Sequence, residues 1–233
     1  MRPAEVYDLL NPWDASDEFY LELVMASRMV VDIGCGTGTL LHRARTGGHV
    51  GRLVGVDPDP DMLAVARATS DDVEWVRATA AEVGAVGADL VVMTGHAFQT
   101  LVTDDDIATS LQAIRRALIP GGRFAFETRN PRATPWLRWD GETLVNHPTA
   151  GVIRLTRRVR EATSRVVTFD ETFSGAGIPD AITVSNTLRF CSRSELTSLL
   201  GDAGFAIAEQ YGDWSRSPVT ASSPEIITIA IAR

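Results

Sequence analysis

Cysteine is nearly absent: the 233 residues hold two, Cys35 and Cys191. Two thiols, with no C-x-x-C and no Cys/His pair at ligand spacing, exclude a disulfide framework and a cysteine-based metal centre, and fit a reducing, cytoplasmic setting. Basic charge is scarce as well, since 22 Lys and Arg face 30 Asp and Glu, for a formal net charge of -8. Without a basic field there is little to draw in a phosphate backbone, so nucleic acid is not an expected partner. Long hydrophobic runs are also missing. The longest, IITIAIA at 226–232, falls far short of the roughly 20 residues that cross a bilayer, so no membrane association is expected. The N-terminus carries Glu5, Asp8, Asp14, Asp17 and Glu18 instead of a basic start and an apolar core, so no signal peptide is read. The one basic stretch, Arg154, Arg157, Arg158, Arg160 and Arg165, lies in strand-like sequence and is expected to be a solvated sheet face.

What is present is the grammar of an α/β protein. Apolar, β-branched runs of strand length occur at 29–33, 52–57, 73–77, 88–93 and 122–128, as expected for strands buried on both faces. Helical patterns separate them: 39–44, 59–68 and 104–118, the last starting on acids and stopping before Pro120-Gly121-Gly122. Such alternation predicts parallel strands joined by right-handed crossovers. After Asn130 the pattern changes to successive strands at 143–146, 151–161, 165–173 and 182–191, which predicts an antiparallel sheet inserted at 131–191. A helix at 194–203 and strands at 205–211 and 225–232 return to the first unit. The expected organisation is therefore 1–130 plus 192–233 as one ligand-binding domain with an N-terminal helical lid, and 131–191 as an insert shaping an acceptor pocket or an oligomer interface.

The stretch VVDIGCGTGTL at 30–40 places Gly34, Gly36 and Gly38 at every second position behind Asp32. Glycine is costly to order, so three in five residues point to a backbone that something approaches closely. The dinucleotide fingerprint G-x-G-x-x-G would need glycine at position 39, which is Thr39. This mismatch counts against a nicotinamide-dependent oxidoreductase, the alternative that would also use an acid at Asp57.

With that loop, GVDPDPDML at 55–63, DVEWVRATAAEV at 72–83, ADLVVMTGHAFQTL at 88–101 and IRRALIPGGRFAFET at 114–128, the chain resembles the class I S-adenosylmethionine-dependent methyltransferases over roughly residues 30–130. The resemblance implies a Rossmann-like doubly wound seven-stranded sheet of order 3-2-1-4-5-7-6, with the last strand antiparallel. It implies S-adenosyl-L-methionine as cofactor, S-adenosyl-L-homocysteine as product, and methyl transfer to nitrogen or oxygen of a small-molecule acceptor. Secondary metabolites such as amino sugars and polyketides fit this layout. Residue by residue, Asp32, Gly34, Gly36 and Gly38 would position the methionine end, and Asp57 the ribose diol, with Pro58 and Met62 beside it. Thr79, Ala80 and Ala81 would meet the adenine, Thr79 standing where the family often has an acid. Thr94 and Gly95 close the fourth-strand motif.

Single residues carry more than one reading. Cys35 reads as a small residue packed beneath the cofactor, since methyl transfer from a sulfonium needs no thiolate. His96, past the fourth strand, is either a base for the acceptor proton or a lining residue. Glu127 is either aimed at the substrate or ion-paired with Arg129. Tyr7 and Trp13 are candidates for a lid whose aromatic faces meet the sulfonium, while Phe19 and Tyr20 fit core packing equally well. His42 and His49 are expected at the surface. Tyr211, Asp213, Trp214 and Arg216 form either an acceptor contact or a plain connection. A catalytically idle S-adenosylmethionine-binding subunit would keep the same glycines. No metal site is read, and the expected state is a monomer or homodimer.

Overall fold

The computed structural model describes residues 2–175 and 177–233. Two helices, α1 (Tyr7–Leu10) and α2 (Ala15–Met25), precede strand β1 (Met29–Ile33). The chain then runs through α3 (Thr39–Thr46), β2 (Arg52–Asp57), α4 (Pro60–Thr69), β3 (Glu74–Arg77), β4 (Ala88–Met93), α5 (Asp104–Ala117) and β5 (Leu118–Arg129). Four consecutive strands follow, β6 (Gly141–His147), β7 (Gly151–Ala162), β8 (Val166–Gly175) and β9 (Ile178–Arg189), and then α6 (Arg193–Asp202), β10 (Phe205–Tyr211) and β11 (Glu225–Ala232).

The seven-stranded sheet has the order β10-β11-β5-β4-β1-β2-β3. Strands β1 to β5 pair in parallel, and β11 enters antiparallel to both β5 and β10. This is the expected 3-2-1-4-5-7-6 arrangement. Because successive side chains on a strand point to opposite faces, Val31 and Val91 join the core under α5 and α6, while Val30 and Val92 join the core under α2 and α3. Burial on both faces is why these strands read as unbroken apolar runs. Under α5 the rings of Phe98, Phe126 and Phe124 stack with centroids 4.4 and 4.6 Å apart.

The second sheet, β6-β7-β8-β9, is antiparallel throughout. Its inner face packs on the N-terminal segment, Ile153, Leu155, Phe173 and Ile178 closing over Val6 and Leu10. A second cluster gathers Trp136, Trp139, Val167, Phe169 and Phe190. The five arginines of the basic stretch each find an acid: Arg154 with Glu142 at 3.0 Å, Arg157 with Glu171 at 2.5 Å, Arg158 with Asp140 at 3.8 Å, Arg160 with Asp170 at 3.3 Å and Arg165 with Glu195 at 2.9 Å. Their charge is locally balanced, and no basic patch results.

Several elements depart from expectation. Strand β5 starts at Leu118 and carries Pro120-Gly121-Gly122 inside it as an irregularity: Ala88 pairs with Leu118, and Leu90 then pairs with Arg123. Gly121, at φ +78, supplies the left-handed residue this excursion needs. Strand β9 begins at Ile178 rather than at 182 and contains Pro179. An edge strand has no outer partner awaiting that missing N–H, so proline is tolerated there. His49 is buried, its Nε2 2.8 Å from the Ser27 carbonyl, and His42 is half-buried with its ring 5.1 Å from that of Trp75. Neither is the surface residue the sequence leads one to expect; the turn at Gly47-Gly48 folds His49 back under β1. Among the described residues no helix is long and apolar enough to cross a membrane.

Candidate active site

The site lies at the carboxyl ends of the parallel strands, where an open α/β sheet presents its loops to a ligand. All three loop glycines take positive φ: +76 at Gly34, +54 at Gly36 and +80 at Gly38. What excludes a side chain differs at each. A Cβ on Gly34 would lie 2.7 Å from the Cβ of Ala97, and one on Gly38 would fall on the indole of Trp75, which also fills the space over Gly55. At Gly36 the nearest atom would be a ring carbon of Tyr7, 4.0 Å away. Two of the three glycines therefore make room for the protein's own side chains, and only Gly36 faces space that a ligand can take. The expectation that all three clear space for the cofactor is corrected to that extent.

Asp57, at the end of β2, ties the loop down. Its Oδ2 accepts the Gly36 N–H and its Oδ1 the Asp59 N–H, both at 2.8 Å. Burial raises its pKa, against the pull of those two N–H bonds. Each carboxylate oxygen keeps a further lone pair, enough for a diol. Asp32 is 1% exposed, and its Oδ1 is buried without any hydrogen-bond partner. Burial first, then the charges of Asp57 and Glu127, push its pKa up to about 8. A buried carboxylate oxygen left bare is costly unless something donates to it, so the residues present fit a ligand that brings a cationic or N–H donor group to this point. Cys35 is buried, and burial pushes its thiol pKa up, the opposite of an activated nucleophile.

The lid is α1. Tyr7 lies across the loop between Gly36 and Gly95, where a Cβ on Gly95 would stand 3.8 Å from its hydroxyl. Asp8 anchors the helix, accepting from the Thr37 hydroxyl at 2.6 Å and the Thr39 hydroxyl at 3.4 Å. Trp13 is placed elsewhere. Its Nε1 donates to Glu18 at 2.6 Å and Arg43 sits 5.0 Å over its ring, because the chain turns away at Asn11-Pro12 and packs this indole on α2 and α3.

After β3, Thr79 donates through both its N–H and its hydroxyl to Glu82, each at 2.8 Å, capping the short helical turn Ala80–Glu82. The Thr79 hydroxyl keeps its acceptor lone pairs, and the acid missing at 79 stands three residues on. Ala80 is buried and Ala81 exposed; Pro58 is exposed and Met62 half-buried.

Past β4, Thr94 is half-buried and Gly95 exposed, and His96 adopts φ +64. Glu127 holds this turn: fully buried, it accepts the His96 N–H at 2.6 Å and the hydroxyl of Tyr20. It makes no ion pair with Arg129 among the described residues, and neither of its two expected roles is what the geometry gives. Burial raises its pKa, opposed by His96 and Tyr20. The His96 Nε2 lies 3.1 Å from Glu225 Oε2. A carboxylate only accepts, so Nε2 carries a proton, and in the neutral ring Nδ1 is the nitrogen that presents a lone pair. Tyr20 and Phe19 are core residues, and the 211–216 loop is a connection: Tyr211 and Trp214 pack edge-on against Phe19, and Arg216 pairs with Glu22 at 3.0 Å. Asp8, Trp75 and Glu225 went unread in the sequence; Glu225 alone had a signal, as the acid opening the final strand.

Residues 30–122 match the family model described as a methyltransferase domain. On this sheet and this loop, that stretch of the chain is similar to methyltransferase domains. Among curated proteins, the 2-phytyl-1,4-naphtoquinone methyltransferase of Thermosynechococcus vestitus is 34% identical over 138 residues, 53% of this chain and 60% of that protein. An uncharacterised methyltransferase of Mycobacterium tuberculosis is 35% identical over 128 residues, 52% of this chain and 49% of its own. The chain thus spans about half to three fifths of the length of these relatives. Among solved structures, the CcbJ methyltransferase of Streptomyces caelestis superposes with a TM-score of 0.77 at 19% identity, covering 95% of this chain and 96% of its own. CalS10, an amino pentose methyltransferase from Micromonospora echinaspora solved with S-adenosylmethionine bound, gives 0.74 at 20% identity over 100% and 98%. At these identities the two structures speak for the fold.

Two outcomes are expected. Gly38→Ala combines the strain of a left-handed residue with overlap on Trp75, and is expected to lower stability by about 2–4 kcal/mol in urea unfolding, against about 1–2 kcal/mol for Gly36→Ala. Asp32, with a folded pKa of about 8 above its unfolded value, favours the native state most when protonated. That stability is full below about pH 4 and is lost as pH rises to about 8. The thermal midpoint of the ligand-free protein should therefore fall between pH 6 and 8, and Asp32→Asn should flatten the fall.

Proposed function

We propose that the chain transfers a methyl group from S-adenosylmethionine to a nitrogen or oxygen of a small molecule held between the sheet edge and the inner face of the second sheet. The observation that carries this reading is the bare, buried Asp32 oxygen beside the one open glycine, Gly36. A ligand with an ammonium group at one end and a diol at the other satisfies Asp32 and Asp57 together. The names of the structural relatives support a small acceptor: CalS10 is an amino pentose methyltransferase, and KedS8 a sugar N-methyltransferase.

S-adenosylmethionine supplies a methyl group on a sulfonium that leaves as a neutral thioether, so alignment does much of the work. The chain's own part is to hold, exclude and accept. Tyr7 covers the loop and keeps water from the reacting atoms. Glu225 orients His96, whose Nδ1 takes the proton from the acceptor N–H or O–H as the new bond to carbon forms. Glu127 and Tyr20 fix the backbone that carries this imidazole.

The test is release of S-adenosylhomocysteine across a panel of amino sugars, phenols and other metabolites. His96→Asn, which tolerates the left-handed backbone, is expected to lower kcat by about 10²-fold on an accepted substrate, with KM for S-adenosylmethionine unchanged. Equal turnover by the variant would remove His96 from the chemistry. Binding of the cofactor without turnover of any acceptor would instead favour an idle subunit.

A further inference from the structure

Beside the His96–Glu225 pair stands a cation with no counter-ion among the described residues. Arg129 ends β5 directly opposite Glu225 on β11, and residues paired across a ladder share a face. Its guanidinium lies 5.2 Å over the Trp139 ring, and its Nη1 donates to Gln99 Oε1 at 3.2 Å. Gln99 is itself fully buried and locked, because its Nε2 donates to the Arg189 carbonyl at 3.0 Å and its Oε1 also accepts the Arg129 N–H. The guanidinium is therefore held in place on two sides by neutral groups.

A guanidinium has five N–H donors. One goes to Gln99, and the other four have no partner among the described residues. Nor does Arg129 make an ion pair with any described carboxylate, although three acids contribute to the field around it. Each of those is bonded elsewhere: Glu127 to Tyr20 and His96, Glu225 to His96, and Glu171 to Arg157 and Asn186. Burial works against the charge on Arg129, and a half-buried charge without a partner is an unfavourable arrangement for a side chain that does nothing.

We infer that Arg129 is the anchor for a carboxylate on the methyl acceptor, so that the substrate is a small carboxylic acid whose nucleophile reaches His96. The inference rests on the methyl-transfer reading of the same site. A planar fork of N–H groups matches a carboxylate in two parallel bonds. One spare positive charge matches one negative charge, whereas a phosphate dianion would call on Arg157, which Glu171 already neutralises. Trp139, half-buried beneath the guanidinium, gives the body of an aromatic or apolar acid a surface to lie on.

The test is a calorimetric titration of the protein, saturated with S-adenosylhomocysteine, using 4-hydroxybenzoate and 4-hydroxybenzamide, which share a ring and a hydroxyl and differ in charge. The acid is expected to bind at least about tenfold more tightly than the amide, and Arg129→Gln to abolish that preference while leaving the amide's affinity as it was. Arg129→Lys, which keeps the charge and loses the fork, should retain part of it. Equal binding of acid and amide, no detectable binding of the acid, or an undiminished preference in Arg129→Gln would each overturn the inference. Binding of S-adenosylhomocysteine to the unaltered protein, read in the first step of the same experiment, bears on the proposed function separately.

Discussion

The carboxylate of Asp57 accepting the N–H of Gly36 is the bond on which the rest of the site depends. It holds Gly36 in its left-handed conformation with the open face outward. Through its other oxygen the same carboxylate takes the Asp59 N–H, which sets the start of α4. On that helix Asp61 pairs with Arg2 at 2.6 Å, so the segment leading into Tyr7 is tied to the strand end that holds the loop. One buried acid thus registers floor, wall and cover against each other.

The same edge concentrates negative charge. Asp32, Asp57 and Glu127 end or nearly end three strands; burial raises the proton affinity of each, and the charges of Asp57 and Glu127 raise that of Asp32 further. Glu127 is satisfied from within, by Tyr20 and the His96 backbone, and so serves as structure. Asp32 keeps a bare oxygen, and that difference separates an acid satisfied by the protein from one left without a partner among the described residues. A parallel sheet makes this arrangement available because all its carboxyl ends gather on one side.

Much of this was legible in the residues. Apolar runs of period one named the buried strands, and the spacing of Gly34, Gly36 and Gly38 behind Asp32 separated the loop from the dinucleotide pattern. What stayed hidden was pairing over long sequence distance. Nothing local to Trp75 says that its ring fills the space over Gly38 and Gly55, and nothing near Glu225 says that it reaches a histidine 129 residues earlier. Glu127 beside Arg129 reads in sequence either as a carboxylate aimed at the substrate or as an ion pair, but alternate residues of a strand share a face without having to touch, and a tyrosine from α2 and the backbone of His96 hold the carboxylate instead. Trp13 misled for a similar reason: an aromatic before the first strand fits a lid, and only the turn at Asn11-Pro12 shows which aromatic becomes one.

The second sheet packs on the N-terminal segment through Val6 and Leu10 and places Trp139, with Arg157 and Glu171, beside Arg129. The central claim, that the loop at Gly36 receives S-adenosylmethionine, is tested most directly by calorimetric titration with S-adenosylhomocysteine of the unaltered chain and of folded Gly36→Ala. The account predicts one saturable site in the former, and at least about tenfold weaker binding in the latter, where a methyl group occupies the only open face of the loop. Undiminished binding by Gly36→Ala, or no binding by the unaltered chain, would contradict it.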